Sequence, residues 1–174
     1  MKSNLKQKVK QLKKTYIVGI VASGKSTLAR KLSKVYGITH YEVDAIAHKV
    51  INGKRVRQNY EEQITEFQSI NQNDSWIIEG TYRPSCEYVL QNADQIVFVD
   101  PPLLIRKYRI VKRFIKQNLK IEKSHYKSDI EMLRAMFKWT SEFEKNRDSF
   151  EAMLKCYEDK LVVLKTLKEY RSFR

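Results

Sequence analysis

One stretch of this sequence combines glycines, a lysine and three hydroxyl residues at a spacing suited to holding a polyphosphate. Residues 19–27 complete the pattern G-x-x-x-x-G-K-[ST], which is typical of a phosphate-binding loop. Glycines let the backbone approach the phosphates, and amides at the start of a helix donate hydrogen bonds to them. Lys25 would act on the outer phosphates, and the hydroxyl of Ser26 would bind Mg²⁺. The loop residues expected to bind the nucleotide are Gly19, Ala22, Ser23, Gly24, Lys25, Ser26 and Thr27.

Three acidic residues, Asp44, Glu79 and Asp100, each follow a segment that reads as a strand, which alternates weakly before Asp44 and is apolar before the other two. In an open parallel sheet, the carboxyl ends of the strands form the edge at which ligands bind. Each acid also has a structural interpretation. Asp44 and Glu79 could cap or complement the helix that follows, and Asp100 could stabilise a turn at the two prolines after it.

Two arginines, Arg109 and Arg113, lie four residues apart in a basic segment that begins near Leu103. A helix would place them on the same side. Guanidinium groups bind phosphate oxygens through planar, bidentate contacts and stay charged at ordinary pH. A solvated basic face is the alternative, and Arg106 in the same segment is expected at the surface.

Strand-like and helix-like segments alternate along the whole chain, which predicts an α/β fold with a parallel sheet covered on both faces. The apolar runs predict five strands, within residues 16–18, 38–43, 76–78, 96–99 and 161–164. Residues 1–14 read as a basic leader, and 15–174 as one domain. Within it, 45–69 is interpreted as a flap on the substrate side and 114–127 as a lid.

The bulk properties suit a soluble globular protein. The chain has 174 residues, 42% of them hydrophobic, and a formal net charge of +14. No apolar run approaches the roughly 20 residues of a membrane span, so we expect a cytoplasmic protein with no membrane partner, as a monomer or dimer. The two cysteines, Cys86 and Cys156, lack metal-ligand spacing and are expected in the core. The positive field attracts anions generally, so nucleic acid is possible but not favoured as a partner, because no recognition motif accompanies it.

Beyond these features, the chain resembles the small P-loop kinases related to adenylate kinase, and most of all their subgroup of topology modulation proteins. The likeness runs from about Thr15 to the end of the chain, and the phosphate loop is its most specific part. The other matching segments are Val43-Asp44-Ala45, residues 78–83 and residues 109–113. This resemblance implies a three-layer P-loop NTPase fold with a five-stranded parallel sheet, helices on both faces and a helical lid.

The resemblance also implies roles for individual residues. Glu79 stands where such kinases commonly have an aspartate, in D-G-x-x-R, and would hold Mg²⁺, with Asp100 as the second candidate. Arg83 would then grip the substrate, Arg109 would bind the nucleotide and Arg113 the transferring phosphate. Asp44 would orient the attacking hydroxyl or accept its proton, or bind the acceptor if that acceptor is itself a phosphate. The chain departs from the subgroup at His48, where tryptophan is usual, so a different acceptor pocket is expected.

These observations predict an enzyme that transfers the γ-phosphate of ATP to a small acceptor, with Mg²⁺ as cofactor. A nucleoside, a nucleotide or another small hydroxyl compound would fit. The alternative is a nucleotide-binding regulator associated with nucleic acid. A GTPase switch is disfavoured because the sequence has no N-K-x-D motif.

Overall fold

The computed structural model describes residues 13–119 and 129–173. Five parallel strands form the main sheet in the order β2-β5-β1-β6-β7. Their bounds are β1 Lys14–Val18, β2 His40–Glu42, β5 Trp76–Gly80, β6 Gln95–Val99 and β7 Leu161–Leu164. A separate antiparallel pair comprises β3 His48–Ile51 and β4 Lys54–Arg57. The predicted five-stranded parallel sheet is therefore confirmed.

One or more helices lie between successive strands of the main sheet. The described helices are α1 Lys25–Tyr36, α2 Val43–Ile46, α3 Tyr60–Asn71, α4 Cys86–Asn92, α5 Leu103–Asn118, α6 Ile130–Lys145, α7 Arg147–Lys155 and α8 Leu167–Ser172. Asp129 caps α6 by accepting a hydrogen bond from the amide of Met132. No helix among the described residues is long and apolar enough to cross a bilayer.

The two faces of the sheet are covered by different helices. On the central strand, Tyr16 and Val18 point into one core and Ile17 into the other, because side chains alternate along a strand. The first core includes residues of α3, α4 and α7, namely Phe67, Ile70, Val89, Leu90 and Leu154. The second includes Leu28 and Leu32 of α1 and Phe173 after α8. This arrangement is the predicted three-layer fold.

The interpreted flap at 45–69 contains the β3–β4 hairpin and most of α3. Asn52 and Gly53 form its two-residue turn, both with positive φ, of 51° and 74°, which matches a type I′ hairpin. The interpreted lid begins within α5, while residues 120–127 lie outside the described residues. Residues 1–12 of the interpreted leader at 1–14 also lie outside them, and Lys14 is already part of β1. One core expectation was wrong: Cys86 is buried, but Cys156 is exposed at the end of α7.

Gly80 ends β5 at a point where no side chain fits. A Cβ at this position would lie 2.4 Å from Cβ of Val43, which is fully buried at the start of α2. The amide of Gly19 also donates a hydrogen bond to the carbonyl oxygen of Gly80, at 3.4 Å. Gly80 therefore contacts both the chain after β2, through Val43, and the loop after β1, through Gly19. These two contacts set the spacing between the two segments.

We predict that Gly80→Ala lowers the free energy of unfolding by about 1–3 kcal/mol, the usual cost of overpacking a core. Urea denaturation would measure it. Val43→Gly removes every side-chain atom that collides, including Cβ, so the double variant should be no less stable than Val43→Gly alone. Additive losses in the double variant would contradict the steric explanation.

Candidate functional site

The loop between β1 and α1 wraps around the start of the helix. Gly24 is the N-cap of α1 with a φ of 105°, a left-handed conformation that favours glycine. The amide of Ser23 donates to the carbonyl oxygen of Ile20 at 3.2 Å, which closes a tight turn. The hydroxyl of Ser23 is buried and has no hydrogen-bond partner within the described residues. A free donor beside a helix N-terminus suits an anion.

Three more elements hold this loop in place. Arg109 of α5 donates from Nη1 to the carbonyl oxygens of Ser23, at 2.6 Å, and of Ala22, at 3.3 Å. Ala22 packs with Ile110 of α5 and Met136 of α6. Tyr170 of α8 donates its hydroxyl to the carbonyl oxygen of Gly24 at 2.7 Å. No sequence pattern pointed to Tyr170, whereas Arg109, which was predicted to bind the nucleotide, lies beside the loop.

Lys25 and Glu79 form the charged centre of the site. Burial lowers the pKa of Lys25, and the negative charge of Glu79 opposes that shift most strongly. Glu79 is 4% exposed in β5, and burial raises its pKa despite the charge of Lys25 and a hydrogen bond from Ser26. Its Oε2 has no hydrogen-bond partner among the residues described. The ammonium of Lys25 donates to the carbonyl oxygen of Ile20 at 3.3 Å.

These groups fit a metal-bound polyphosphate. An unpartnered carboxylate oxygen at Glu79 and the nearby hydroxyl of Ser26 supply the oxygen ligands that Mg²⁺ prefers. In the parts of the chain that the structure describes, no three His, Cys, Asp or Glu side chains are grouped to hold a metal ion. A cation here would therefore take most of its ligands from phosphate and water, as Mg²⁺ commonly does.

Glu42 is a site residue that the sequence reasoning missed. It pairs in register with Glu79 on the neighbouring strand, and its charge acts on both Lys25 and Glu79. The spacing Glu42-x-Asp44 at the end of a strand was the available signal. Glu42 also lines an open groove of about 360 Å³ beside Ile46 and Glu66.

The two predicted substrate-binding residues, Asp44 and Arg83, contact each other. Nη2 of Arg83 donates to Oδ1 of Asp44 at 2.5 Å, with 59% of the Asp44 side chain and 27% of the Arg83 side chain exposed. Asp44 lies in the first turn of α2, and the N-cap residue of this helix makes no side-chain capping bond. Asp44 also acts electrostatically on Lys25, as does Arg113 of α5. The structure thus brings Lys25, Asp44, Glu79, Arg83, Arg109 and Arg113 to one edge of the sheet.

Asp100, the second candidate for the metal, is engaged elsewhere. Both of its carboxylate oxygens accept hydrogen bonds from Arg147, at 2.8 and 3.1 Å. Arg147 also donates hydrogen bonds to Glu144 and to Glu151. Its hydrogen bonds to Asp100 raise the pKa of the Arg147 guanidinium above the usual value. Asp100 therefore serves an ion-pair cluster that joins the loop after β6 to α6 and α7, and Glu79 is the better metal candidate.

The expectation that Arg106 lies at the surface was wrong. Its side chain is fully buried, donates to the carbonyl oxygen of Pro101 at 3.2 Å and forms an ion pair with Glu144. It also lies over the ring of Phe143, with its Cζ 5.6 Å from the centroid. A charge can be buried in this way because the carboxylate and the aromatic face compensate for lost water.

No family model matches the chain, and no curated protein matches it. Among solved structures, the chain is similar to shikimate kinase from Bacteroides thetaiotaomicron, with 12% identity over 91% of this chain and 92% of that one and a TM-score of 0.53. It is also similar to a gluconokinase from Sinorhizobium meliloti 1021, with 14% identity over 93% of this chain and 87% of that one and a TM-score of 0.50. At these identities the likeness establishes the fold, and the chain has the α/β P-loop fold of such small kinases.

The Arg106–Glu144–Arg147 cluster predicts a loss of stability in acid. Hydrogen bonds from Arg147, and then from Arg106, lower the pKa of Glu144. A carboxylate with a lowered folded pKa contributes stability above its unfolded pKa, near 4.3, and that contribution is lost as the pH falls through the folded value. Glu144→Gln should therefore lower the free energy of unfolding at neutral pH by about 1–3 kcal/mol. The difference from wild type should shrink below about pH 4.

Urea denaturation at a series of pH values would measure this difference. Glu142→Gln is the matched control, since Glu142 is on the same helix but only reaches Lys138 at 3.9 Å between exposed side chains. A deficit in Glu144→Gln that stayed constant across the acid range would contradict the assignment.

Proposed function

We propose that this protein is an ATP-dependent phosphotransferase that moves the γ-phosphoryl group of ATP to a small acceptor. The single observation that carries the proposal is the juxtaposition of Lys25, Glu79 and Asp44 beside the glycine loop, at the carboxyl ends of β1, β5 and β2. A loop that binds phosphates needs only the lysine. The exposed carboxylate of Asp44, together with the Arg83 guanidinium that it contacts, provides a place beside this lysine for a second reactant.

The loop would hold the phosphates of ATP. Backbone amides around Gly19, Ala22 and Gly24, together with the side chains of Ser23 and Thr27, would donate to phosphate oxygens. Lys25 would neutralise charge on the outer phosphates. Arg109 and Arg113 would approach from α5, one turn apart, with guanidinium geometry suited to phosphate. Catalysis would then come chiefly from positioning and charge neutralisation.

The reaction requires one bond to break and one to form. The bond from the γ-phosphorus to the oxygen that bridges it to the β-phosphate breaks, a bond to the acceptor oxygen forms, and ADP leaves with the bridging oxygen. Asp44 would accept the proton of an attacking hydroxyl, while Arg83 holds the acceptor. If the acceptor oxygen belongs to a phosphate that is already ionised, no proton needs removal and Asp44 would only bind the acceptor.

Mg²⁺, when bound, would supply charge neutralisation for the β- and γ-phosphates. Ser26 and Glu79 are the residues that would hold it, directly or through water. Glu79 must be ionised for this role, and its proximity to Lys25 favours the ionised form against the effect of burial.

Water must be excluded during transfer, because otherwise ATP would be hydrolysed. The flap at 45–69 and the lid at 114–127 are the segments that would close over the reactants. This proposal includes three further predictions from the sequence. They are the likeness to topology modulation proteins, a basic leader at 1–14 and a cytoplasmic location.

Lys25→Ala should abolish transfer while leaving the fold intact, because the variant removes the positive charge nearest the outer phosphates. The measurements are acceptor-stimulated ADP release and circular dichroism. Lys34→Ala is the matched control, since Lys34 is exposed in the last turn of the same helix. Undiminished ADP release by Lys25→Ala would remove the loop from the mechanism.

Asp44→Asn should reduce kcat by about 10²-fold or more, the range expected for loss of a general base, with the KM for ATP unchanged. Stability should change little, because an ion pair with an exposed partner contributes little. Asp74→Asn, at an exposed turn, is the control. A normal kcat with a raised KM for the acceptor would instead assign Asp44 to acceptor binding.

The same assays separate the enzyme from the regulator. Acceptor-stimulated ADP release supports the enzyme. Salt-sensitive retention of DNA, without ADP release in the presence of any acceptor, would support a nucleic-acid-associated regulator.

A further inference from the structure

The outward face of α5 carries a row of apolar side chains that stay exposed in the part of the chain that the structure describes. The buried residues of this helix are Arg106 and Ile110. On the opposite side, five side chains are between 41% and 78% exposed, namely Leu104, Tyr108, Val111, Ile115 and Leu119. We call this row the apolar stripe. Single exposed apolar residues are ordinary on protein surfaces, whereas a continuous row marks an interaction surface.

The spacing within the stripe is that of a helix–helix seam. Its members lie 4, 3, 4 and 4 residues apart, and the alternation of four and three keeps side chains in one line along a helix. At about 100° per residue, the five side chains lie within about 80° of one another around the helix axis. At 1.5 Å per residue, the row is about 22 Å long. A row this narrow matches the groove on the surface of a second helix, whereas a flat surface would call for a wider apolar face.

Lysines border the stripe on both sides. Lys107 lies along one edge, and Lys112 and Lys116 lie along the other. Nζ of Lys112 is 5.5 Å from the ring centroid of Tyr108, so this ammonium group reaches over the stripe itself. Within the described ranges none of the three lysines forms an ion pair, and α5 contains no Asp or Glu. The outward face is therefore apolar along its centre and positive at its edges.

This charge pattern argues against a second copy of the same face as the occupant. Two copies related by a twofold axis would pack stripe against stripe. The middle of the row lies between Val111 and Lys112, so an antiparallel pair would bring the two Lys112 ammonium groups together. A parallel pair would set Lys107 against Lys112 across the seam. Both arrangements place like charges beside each other without a carboxylate between them.

The segments outside the described ranges are no more complementary to the stripe. Residues 1–12 contain four lysines and neither Asp nor Glu, and residues 120–128 contain three lysines and one glutamate. Neither segment supplies the negative charge that both edges of the stripe call for. An occupant with complementary charge must therefore come from another molecule.

We propose that the apolar stripe of α5 is the docking site for an acidic amphipathic helix of a partner protein. The apolar row of that helix packs along the stripe, and carboxylates at its edges pair with Lys107 and Lys112. Arg109 lies on another side of α5, where it donates to carbonyl oxygens of the phosphate loop. Docking on the stripe therefore leaves the loop accessible, and this interaction does not depend on the proposed catalytic function.

The test uses a synthetic helical peptide of about three heptads, long enough to span the stripe, with leucine at the seam positions and glutamate at the flanking positions. Its binding to the full-length protein is measured by fluorescence anisotropy. A scrambled peptide of the same composition has the same charge but no apolar row, and should bind at least about tenfold more weakly. Equal binding of the two peptides would indicate general attraction to the positive charge of the protein and overturn the proposal.

Variants then locate the contact. Ile115→Ser should weaken binding of the acidic peptide about tenfold, because an apolar side chain no longer enters the seam. Ile51→Ser is the matched control, since Ile51 on the hairpin is 54% exposed and Ile115 is 50% exposed. Lys112→Gln should weaken binding about two- to fivefold, the range for an exposed ion pair. An undiminished affinity in Ile115→Ser, or an equal loss in Ile51→Ser, would overturn the assignment to α5.

Two further measurements address the other occupants. Vesicles of phosphatidylcholine, with and without phosphatidylserine, test a membrane surface, and sedimentation velocity tests self-association. Vesicle binding or a dimer that Ile115→Ser abolishes, in a protein that does not distinguish the two peptides, would assign the stripe to that occupant and overturn the helix proposal. None of these measurements involves phosphoryl transfer, so failure of the kinase proposal would leave their interpretation unchanged.

Discussion

The whole site depends on holding two opposite charges, the half-buried Lys25 and the buried Glu79, beneath the phosphate loop. Lys25 and Glu79 lie on neighbouring elements, at the start of α1 and near the end of β5. Burial shifts both pKa values toward the neutral forms, and each charge partly offsets the penalty of the other. An arrangement of this kind is tolerated because the two groups compensate each other, and it leaves both ready to interact with an incoming anion and its cation.

The fold was predictable where the signals are local. A glycine loop between an apolar run and a helical repeat predicts β1, the loop and α1 from consecutive residues, and alternation of such units predicts the layered sheet. The acidic residues at the strand ends were predictable for the same reason. The carboxyl ends of parallel strands meet at one edge of the sheet, so a residue at the end of a strand must lie at that edge. Glu42 could also have been found from its spacing to Asp44.

What could not be predicted depends on partners distant in sequence. Arg106 looks like any other basic residue of α5, and only Glu144 and Phe143, on another helix, allow it to be buried. Asp100 looked equivalent to Glu79 as a carboxylate after a strand, and the difference arises from Arg147. The hairpin was visible only as the Asn52-Gly53 turn, because its strands are exposed and have no apolar face of the usual kind.

The bond between Tyr170 and Gly24 spans 146 positions of the chain. A nascent polypeptide emerging from the ribosome therefore carries the glycine loop long before the helix that braces it has been made. The central strand β1 likewise waits for β5 and β6, both of which pair with it from later in the chain. The glycine loop should thus reach its braced conformation only after α8 has been synthesised and has packed against it.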